Sequence, residues 1–305
     1  MGFNYIFGPV PSRRLGFSLG IGVIPRKYCT FDCIYCEVGR TTNKTDKREL
    51  FFNPDEIIRE CEFFLKNHKR NLDVITFSGM GEPTLYKGLG YVAGAIKKIT
   101  DKPLALLTNS SLLWRDDVID DIKDLDIILP SLDTCVDSTF QRINRPISTI
   151  SLEMIKKGLL TLKKHFKGRI FLEILFVKGI NDTPHELRLL KNFIDTLLPD
   201  KIHINTVYRP PPEEGVFPIT KSKIIEIKDF FGEKAEPCDS FKRVLDLGVK
   251  DTIIKALGVR PMTLEDLSSL TGLKPWELVE MLDEMVKGGK LRKEFHGNKE
   301  FYRLS

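Results

Sequence analysis

Short apolar runs alternate with amphipathic stretches along most of the chain. Asp73-Val74-Ile75-Thr76-Phe77, Leu104-Ala105-Leu106-Leu107-Thr108, Asp126-Ile127-Ile128-Leu129-Pro130-Ser131-Leu132, Arg169 to Val177 and Lys201 to Val207 read as strands, and residues 18–24 as a shorter one. Helical periodicity covers 54–68, 88–99, 115–123, 151–165, 184–197 and 220–231. In the first of these, Ile57, Ile58, Cys61, Phe64 and Leu65 share one side. Strands of about six residues separated by helices predict repeated βα units and a parallel sheet, an α/β fold. The proline- and glycine-rich stretch Phe7 to Gly16 reads as a loop, and Gly39 to Glu49 as a polar connection.

From about residue 248 the alternation stops. Residues 251–257 look helical. Thr263 with Asp266 three residues on opens a second helix that Gly272 ends. Lys274 to Lys287 is amphipathic, with Trp276, Val279, Leu282 and Val286 at helical spacing, and Leu291 to Leu304 reads as a hairpin turning at Gly297-Asn298. Three helices and a hairpin resemble a winged helix-turn-helix. The expected layout is a core over 1–235, a linker over 236–247 and a small winged-helix-like domain over 248–305. Between Pro275 and Val286 lie Glu277, Glu280, Asp283 and Glu284 but no Lys or Arg, which argues against specific DNA binding by that helix. The wing is more basic: Lys290, Arg292, Lys293, His296, Lys299 and Arg303 outnumber Glu294 and Glu300. It suits a protein, peptide or RNA contact, with packing alone as the bland reading.

Composition changes this picture little. The 305 residues are 42% apolar and 29% charged, which is ordinary globular composition. A net charge of +5, from 47 basic and 42 acidic residues, permits an anionic substrate without demanding nucleic acid. There is no run of about 18 apolar residues and no secretory signal at the N-terminus, so a cytoplasmic protein without membrane partners is expected. Six cysteines could form a disulfide framework. A chain this long does not need one, however, and Cys61, Cys135 and Cys238 are isolated in sequence, so buried free thiols are expected there.

The other three cysteines carry the chemistry. Cys29-Thr30-Phe31-Asp32-Cys33-Ile34-Tyr35-Cys36 has the spacing Cys-x3-Cys-x2-Cys. Soft thiolates at this density select zinc or iron–sulfur. A structural zinc site needs four ligands, and the next candidates are Cys61 and His68. A 4Fe–4S cluster on three thiolates leaves one iron open. A distant fourth ligand or buried structural thiols are the alternatives. In parallel sheets chemistry collects at the C-terminal strand ends. Those ends carry Ser78-Gly79-Met80-Gly81-Glu82-Pro83-Thr84-Leu85, Thr108-Asn109-Ser110, Ser131-Leu132-Asp133-Thr134, Lys178 to Asp182 and Tyr208 to Pro212. Glycines at Gly79 and Gly81 would let backbone approach a ligand closely.

The cysteine spacing, Tyr35 before the third cysteine and the Gly79-Glu82 turn together resemble the radical S-adenosylmethionine (SAM) superfamily over roughly residues 5–235. The resemblance implies a partial (β/α)6 barrel and a cluster on Cys29, Cys33 and Cys36 whose open iron chelates SAM. It implies reductive cleavage of SAM to methionine and a 5′-deoxyadenosyl radical that abstracts hydrogen from a substrate. The enzyme would be an oxidoreductase or a transferase served by an electron donor such as ferredoxin or flavodoxin. Carried over by position, Tyr35, Gly79, Gly81, Glu82, Asn109, Ser131 and Asp133 would contact SAM. The opening Gly8-Pro9-Val10-Pro11-Ser12-Arg13-Arg14-Leu15-Gly16 is similar to a narrower group related to the wybutosine-synthesis enzymes, which act on tRNA. Those enzymes carry extra upstream cysteines for a second cluster. This chain has none before Cys29, so a second cluster would need Cys61, Cys135 and Cys238 to converge.

Arg13, Arg14, Arg142 and Arg145 are the candidates for an anionic substrate, because forked donors suit carboxylate or phosphate. Arg142 and Arg145 are expected on a loop over the sheet edge, with a loop-bracing salt bridge as the bland reading. The substrate class expected is tRNA or protein. The rival function is a redox-responsive iron–sulfur regulator that binds nucleic acid through the winged helix.

Overall fold

The computed structural model describes residues 3–67, 72–238, 249–273 and 275–305. In chain order the core contains β1 (Ile6–Ser12), β2 (Gly16–Ile21), a two-residue pair β3 (Tyr28–Cys29) and β4 (Asn43–Lys44), α1 (Pro54–Asn67), β5 (Val74–Phe77), α2 (Leu89–Ile96), β6 (Leu104–Thr108), α3 (Asp116–Ile122), β7 (Ile127–Pro130), α4 (Asp137–Ile143), α5 (Leu152–His165), β8 (Arg169–Phe176), α6 (Pro184–Leu197), β9 (Lys201–Thr206), α7 (Lys221–Phe231) and β10 (Ala235–Pro237). The sheet order is β1-β2-β5-β6-β7-β8-β9-β10. From β2 to β10 every pair is parallel, and only β1 runs antiparallel, against β2.

Six of these strands are the expected βα strands. Besides the two-residue pair β3 and β4, three further elements were not expected. Phe7 to Gly16, read as a loop, contains β1. Its prolines fit because β1 is an edge strand, where a missing N–H leaves no ladder bond unmade. Asp137–Ile143 is a helix whose Phe140 and Ile143 turn inward at three-residue spacing, so Arg142 sits in its last turn and not on a loop. Glu236 and Pro237, assigned to the linker, continue the sheet as part of β10, while 239–247 of that linker lie outside the described residues.

Both faces of the sheet are buried, as parallel sheets require. The helix-covered face holds the main core, including Ile75, Phe77, Leu106, Ile128, Leu172 and Ile204. The alternate positions Val74, Ala105, Ile127, Leu129 and Phe171 form a second cluster on the other face. That face is concave. β2 and β8 are four strands apart, about 19 Å if flat, yet Arg14 in the β1–β2 turn bonds Glu173 of β8 at 2.6 Å. Helix starts follow local chemistry: Ser151, Thr183 and Thr220 each cap a helix with their side chain.

The C-terminal unit contains α8 (Val249–Val259), α9 (Leu264–Thr271), α10 (Pro275–Lys287) and the hairpin β11 (Leu291–His296) with β12 (Lys299–Leu304). The element order is the expected one, and Thr263 and Asp266 form a complete capping box. The inward face of α10 differs from expectation: Leu278, Leu282 and Met285 are buried, whereas Trp276 is 68% exposed and Val279 is also exposed. The unit packs on the core, its own cluster enclosing Phe17 of β2 and touching Val10 of β1. The hairpin also docks. Phe301 meets the Tyr208 ring edge-on at 5.9 Å, and Lys299 Nζ lies 4.3 Å from that ring's centre.

Candidate functional site

The cysteine loop follows β2 beyond its C-terminal end. It is sewn to the end of α4: Asp32 N donates to Asn144 O at 3.1 Å, Ile34 N to Ile143 O at 2.9 Å, and Ile147 N to Thr30 O at 2.8 Å. All six cysteines are free thiols, so the disulfide framework is excluded. The Cys29, Cys33 and Cys36 sulfurs do not all lie within 4.8 Å of one another; among the described residues only Glu173, His203 and Cys238 form such a trio. Three thiolates on one zinc at about 2.3 Å would sit within about 4 Å of each other. Polar hydrogens already point at the sulfurs. Phe31 N and Asn109 Nδ2 donate to Cys29 Sγ at 3.5 and 3.4 Å, and Asn144 Nδ2 donates to Cys33 Sγ at 3.6 Å. Burial pushes the Cys29 thiol up to about 12 and raises Cys33 and Cys36 as well. Metal coordination deprotonates such a thiol outright.

Lys27 supplies the test of fit. Its side chain is buried, and Nζ has no hydrogen-bond partner among the described residues. Burial lowers its pKa and nearby Arg26 adds to this, while Cys36, Asp32 and Cys29 act the other way. A buried ammonium without a partner is costly. An anionic cluster on the three sulfurs is the neighbour that would satisfy it.

The glycine turn lies directly against this loop. Lys27 N donates to Met80 O at 2.7 Å and Glu82 N to Tyr28 O at 3.0 Å. A Cβ on Gly81 would sit 2.1 Å from Tyr28 O, so no other residue allows this approach. Gly79 takes φ of 137°, a conformation side chains disfavour. The Glu82 carboxylate is buried and fully engaged: it accepts from Thr84 N, Thr84 Oγ1, Thr108 Oγ1 and Asn109 N at 2.6–3.1 Å. It joins the end of β5 to the end of β6 and positions the turn that the sequence expects to flank SAM. Asn109, Tyr35, Ser131 and Asp133 line a cavity of about 50 Å³ together with Asn144. Tyr35 Oη donates to Asp133 Oδ2, Asn144 Nδ2 donates to the same oxygen at 2.8 Å, and Leu175 N to Asp133 Oδ1 at 2.9 Å. Burial raises Asp133 despite these bonds and, with Asp133 beside it, pushes Tyr35 well up.

Residues 23–190 match the model of the radical SAM superfamily. The chain belongs to the radical SAM superfamily. Members are enzymes that typically use a 4Fe–4S cluster and SAM. A UPF0026 protein of Methanocaldococcus jannaschii is 35% identical over 97% of this chain and 94% of its own length. Among solved structures, a radical SAM methyltransferase from Sphaerobacter thermophilus shares the fold, with a TM-score of 0.54 and 15% identity over 72% of this chain and 65% of that one. Native anSMEcpe with bound AdoMet gives 0.50 and 15% over 65% of this chain and 53% of that one.

The radical SAM core encloses a cavity of about 230 Å³ beside the glycine turn, lined by Ser78, Gly79, Gly81, Glu37 and Arg14 and closed on one side by Ala256 and Val259 of α8. Three of the four arginines expected to await a substrate are engaged within the chain. Arg13 donates to Asn205 Oδ1 at 3.4 Å and Glu37 Oε1 at 3.3 Å and lies over the Tyr208 ring; Arg14 holds Glu173. Arg145 forms a bidentate pair with Glu213 at 2.5 and 3.1 Å, the loop brace. Arg142 is exposed. Arg209, not singled out from the sequence, is 1% exposed and grips both Glu37 oxygens at 2.9 and 3.0 Å. Burial alone would raise Glu37; Arg209 and Arg13 outweigh it and hold that carboxyl well below the usual range.

The remaining cysteines do not converge. Cys61 is packed in the main core on α1, Cys135 neighbours Lys156, Glu186 and Glu153, and Cys238 neighbours Glu173 and Arg14. The Glu173–His203–Cys238 trio is no better a metal seat, since the Arg14 guanidinium already occupies Glu173. His68 lies outside the described residues. No described helix is long and apolar enough to cross a membrane.

Proposed function

We propose that the chain is a radical SAM enzyme in which Cys29, Cys33 and Cys36 hold a 4Fe–4S cluster and SAM lies between the glycine turn and the Asn109–Ser131 strand ends. The observation that carries this is the wide-set cysteine triad packed on the glycine turn, with the orphan Lys27 ammonium beside it. When bound, cluster and SAM together supply a 5′-deoxyadenosyl radical that abstracts hydrogen from a substrate. The chain's residues do the rest. Gly81 lets the turn lie against the cysteine loop, Glu82 fixes the turn to β6, and Asn144 ties Tyr35, Asp133 and Cys33 into one network. The α8 helix excludes water from one side of the cavity. The electron comes from an external low-potential carrier such as a ferredoxin or flavodoxin.

Anaerobic reconstitution with dithionite and SAM yields 5′-deoxyadenosine on this reading, and Cys33→Ala yields none. A protein that holds a cluster yet forms no deoxyadenosine overturns it.

A tRNA or protein substrate rests on the opening motif, its kinship with the wybutosine group and a basic wing on α8–β12, which we read as winged-helix-like. A small-molecule substrate is favoured by a different observation, the α8 wall on a cavity of only about 230 Å³. Much of the wing's charge is paired internally: Arg292 and Arg303 with Glu294, and Lys293 with Asp283 and Glu300. RNA that co-purifies and acts as substrate would restore the first reading. The regulator alternative gains nothing from a hairpin docked on Tyr208.

A further inference from the structure

Each cysteine of the triad has its own electropositive neighbour, and one of these neighbours is charged. Cys29 faces Asn109 Nδ2, and Cys33 faces Asn144 Nδ2. On the Cys36 side lies Lys27, whose ammonium packs against Gly39, the residue that closes a turn on Cys36. The Lys27 ammonium is held in place by its surroundings. Its backbone is locked between Met80 O and Asn43 N, at 2.7 and 3.0 Å, and its Nζ lies within 3.4 Å of the position a Cβ would take on Gly39. Gly39 in turn closes a turn on Cys36 O at 2.9 Å. Lys27 also has φ of 68°, a left-handed conformation that glycine adopts without penalty. If only the turn mattered, glycine would serve better. Lysine adds a buried ammonium that has no hydrogen-bond partner among the described residues.

We infer that Lys27 is a positioning and tuning residue for the cluster: its fixed charge beside Cys36 raises the reduction potential, with the Asn109 and Asn144 amides as weaker contributors. This rests on the cluster reading above and deepens it. In the step concerned one electron enters from the external carrier, no bond forms or breaks, and the cluster becomes one charge more negative. A neighbouring cation stabilises the reduced form more than the oxidised one. Charge, hydrogen bonds to the sulfurs and solvent exposure are the general determinants of such potentials. A neutral amide supplies only a dipole, so its effect is smaller.

The test is a redox titration of the reconstituted full-length protein, without SAM, followed by electron paramagnetic resonance, with iron and sulfide assayed alongside. Lys27→Met shifts the reduction equilibrium at least tenfold toward the oxidised cluster, a midpoint about 59 mV more negative for a one-electron couple. Lys27→Arg stays near wild type, and Asn144→Ala shifts in the same direction but less. An unchanged midpoint in Lys27→Met, or an equal displacement in Lys27→Arg, overturns the inference. If Lys27→Met assembles no cluster while Lys27→Arg does, the charge serves assembly and the tuning inference falls. If neither assembles one, Lys27 is scaffold and the inference falls. The readout does not depend on SAM cleavage. A cluster with a lysine-dependent potential but no deoxyadenosine defeats only the enzyme reading, and deoxyadenosine with lysine-independent potentials defeats only this inference.

Discussion

Two ends of the concave face carry dense polar chemistry, and they differ in how complete they are. At the arginine end, Arg13, Arg14 and Arg209 have partners in Glu37, Glu173 and Asn205. At the cysteine end amide donors point at two of the three sulfurs, and among the described residues a buried ammonium has no hydrogen-bond partner. The first arrangement is largely paired within the chain, although Arg13 Nε is left without a hydrogen bond, and it holds the curled sheet together. The second is unfinished without a further anionic group. Residue types alone would have ranked the arginines as ligands, whereas their partners mark them as structure. An unmet valence in a rigid setting is the better sign of function.

The largest effect that sharpens this contrast is at Arg14. Arg14→Met leaves Glu173 buried with only the Asn205 amide, and breaking such a pair costs about 3–5 kcal/mol. Chemical denaturation of the cluster-free protein measures it; a loss under about 1 kcal/mol would mean the arginine end is not structural. Next is Gly81→Ala at the other end. Its Cβ collides with Tyr28 O and Ile24, and relief costs about 1–3 kcal/mol and moves the cysteine loop. Iron bound per chain should fall steeply although the protein stays folded, and full iron loading would contradict the close packing.

Two glutamates, half-buried Glu37 and buried Glu82, give opposite pH signs. Glu37 has its folded value depressed from the ordinary 4.5, so its stabilisation is present above that value and is lost as pH falls through the lower folded value. Glu82 is raised, chiefly by burial, so its contribution is present below 4.5 and lost as pH rises through the higher folded value. Each contributes at most about 1.4 kcal/mol per pH unit. Denaturation midpoints compared across pH should show Glu37→Gln flattening the acid fall and Glu82→Gln removing a loss just above 4.5. Identical profiles would contradict the comparison. The smallest effect is Thr263→Ala, which removes the α9 capping box at about 1 kcal/mol. Faster amide exchange in α9, with slow exchange kept in β5 and β6, is the expected pattern.

The βα rhythm was legible because each strand is a short apolar run and each helix has one apolar face. β1 was not, since its prolines are tolerated only because nothing pairs on its outer side, a fact of the sheet and not of the segment. α4 was hidden by its length, seven residues with two inward side chains. The cysteine triad and Gly81 are local patterns and could be read directly. Asn144 sits 111 residues from Cys33, and Arg209 sits 172 from Glu37, so no local pattern links them. Lys27 is close in sequence to Cys29, but its orphan ammonium depends on Gly39 and the fold of the whole loop.

The most direct measurement is electron paramagnetic resonance of the reduced, reconstituted protein before and after SAM is added. With three thiolates and one open iron, about four irons bind per chain, and the cluster signal changes shape when SAM binds. A protein holding zinc, or a cluster whose signal is indifferent to SAM, would contradict the account.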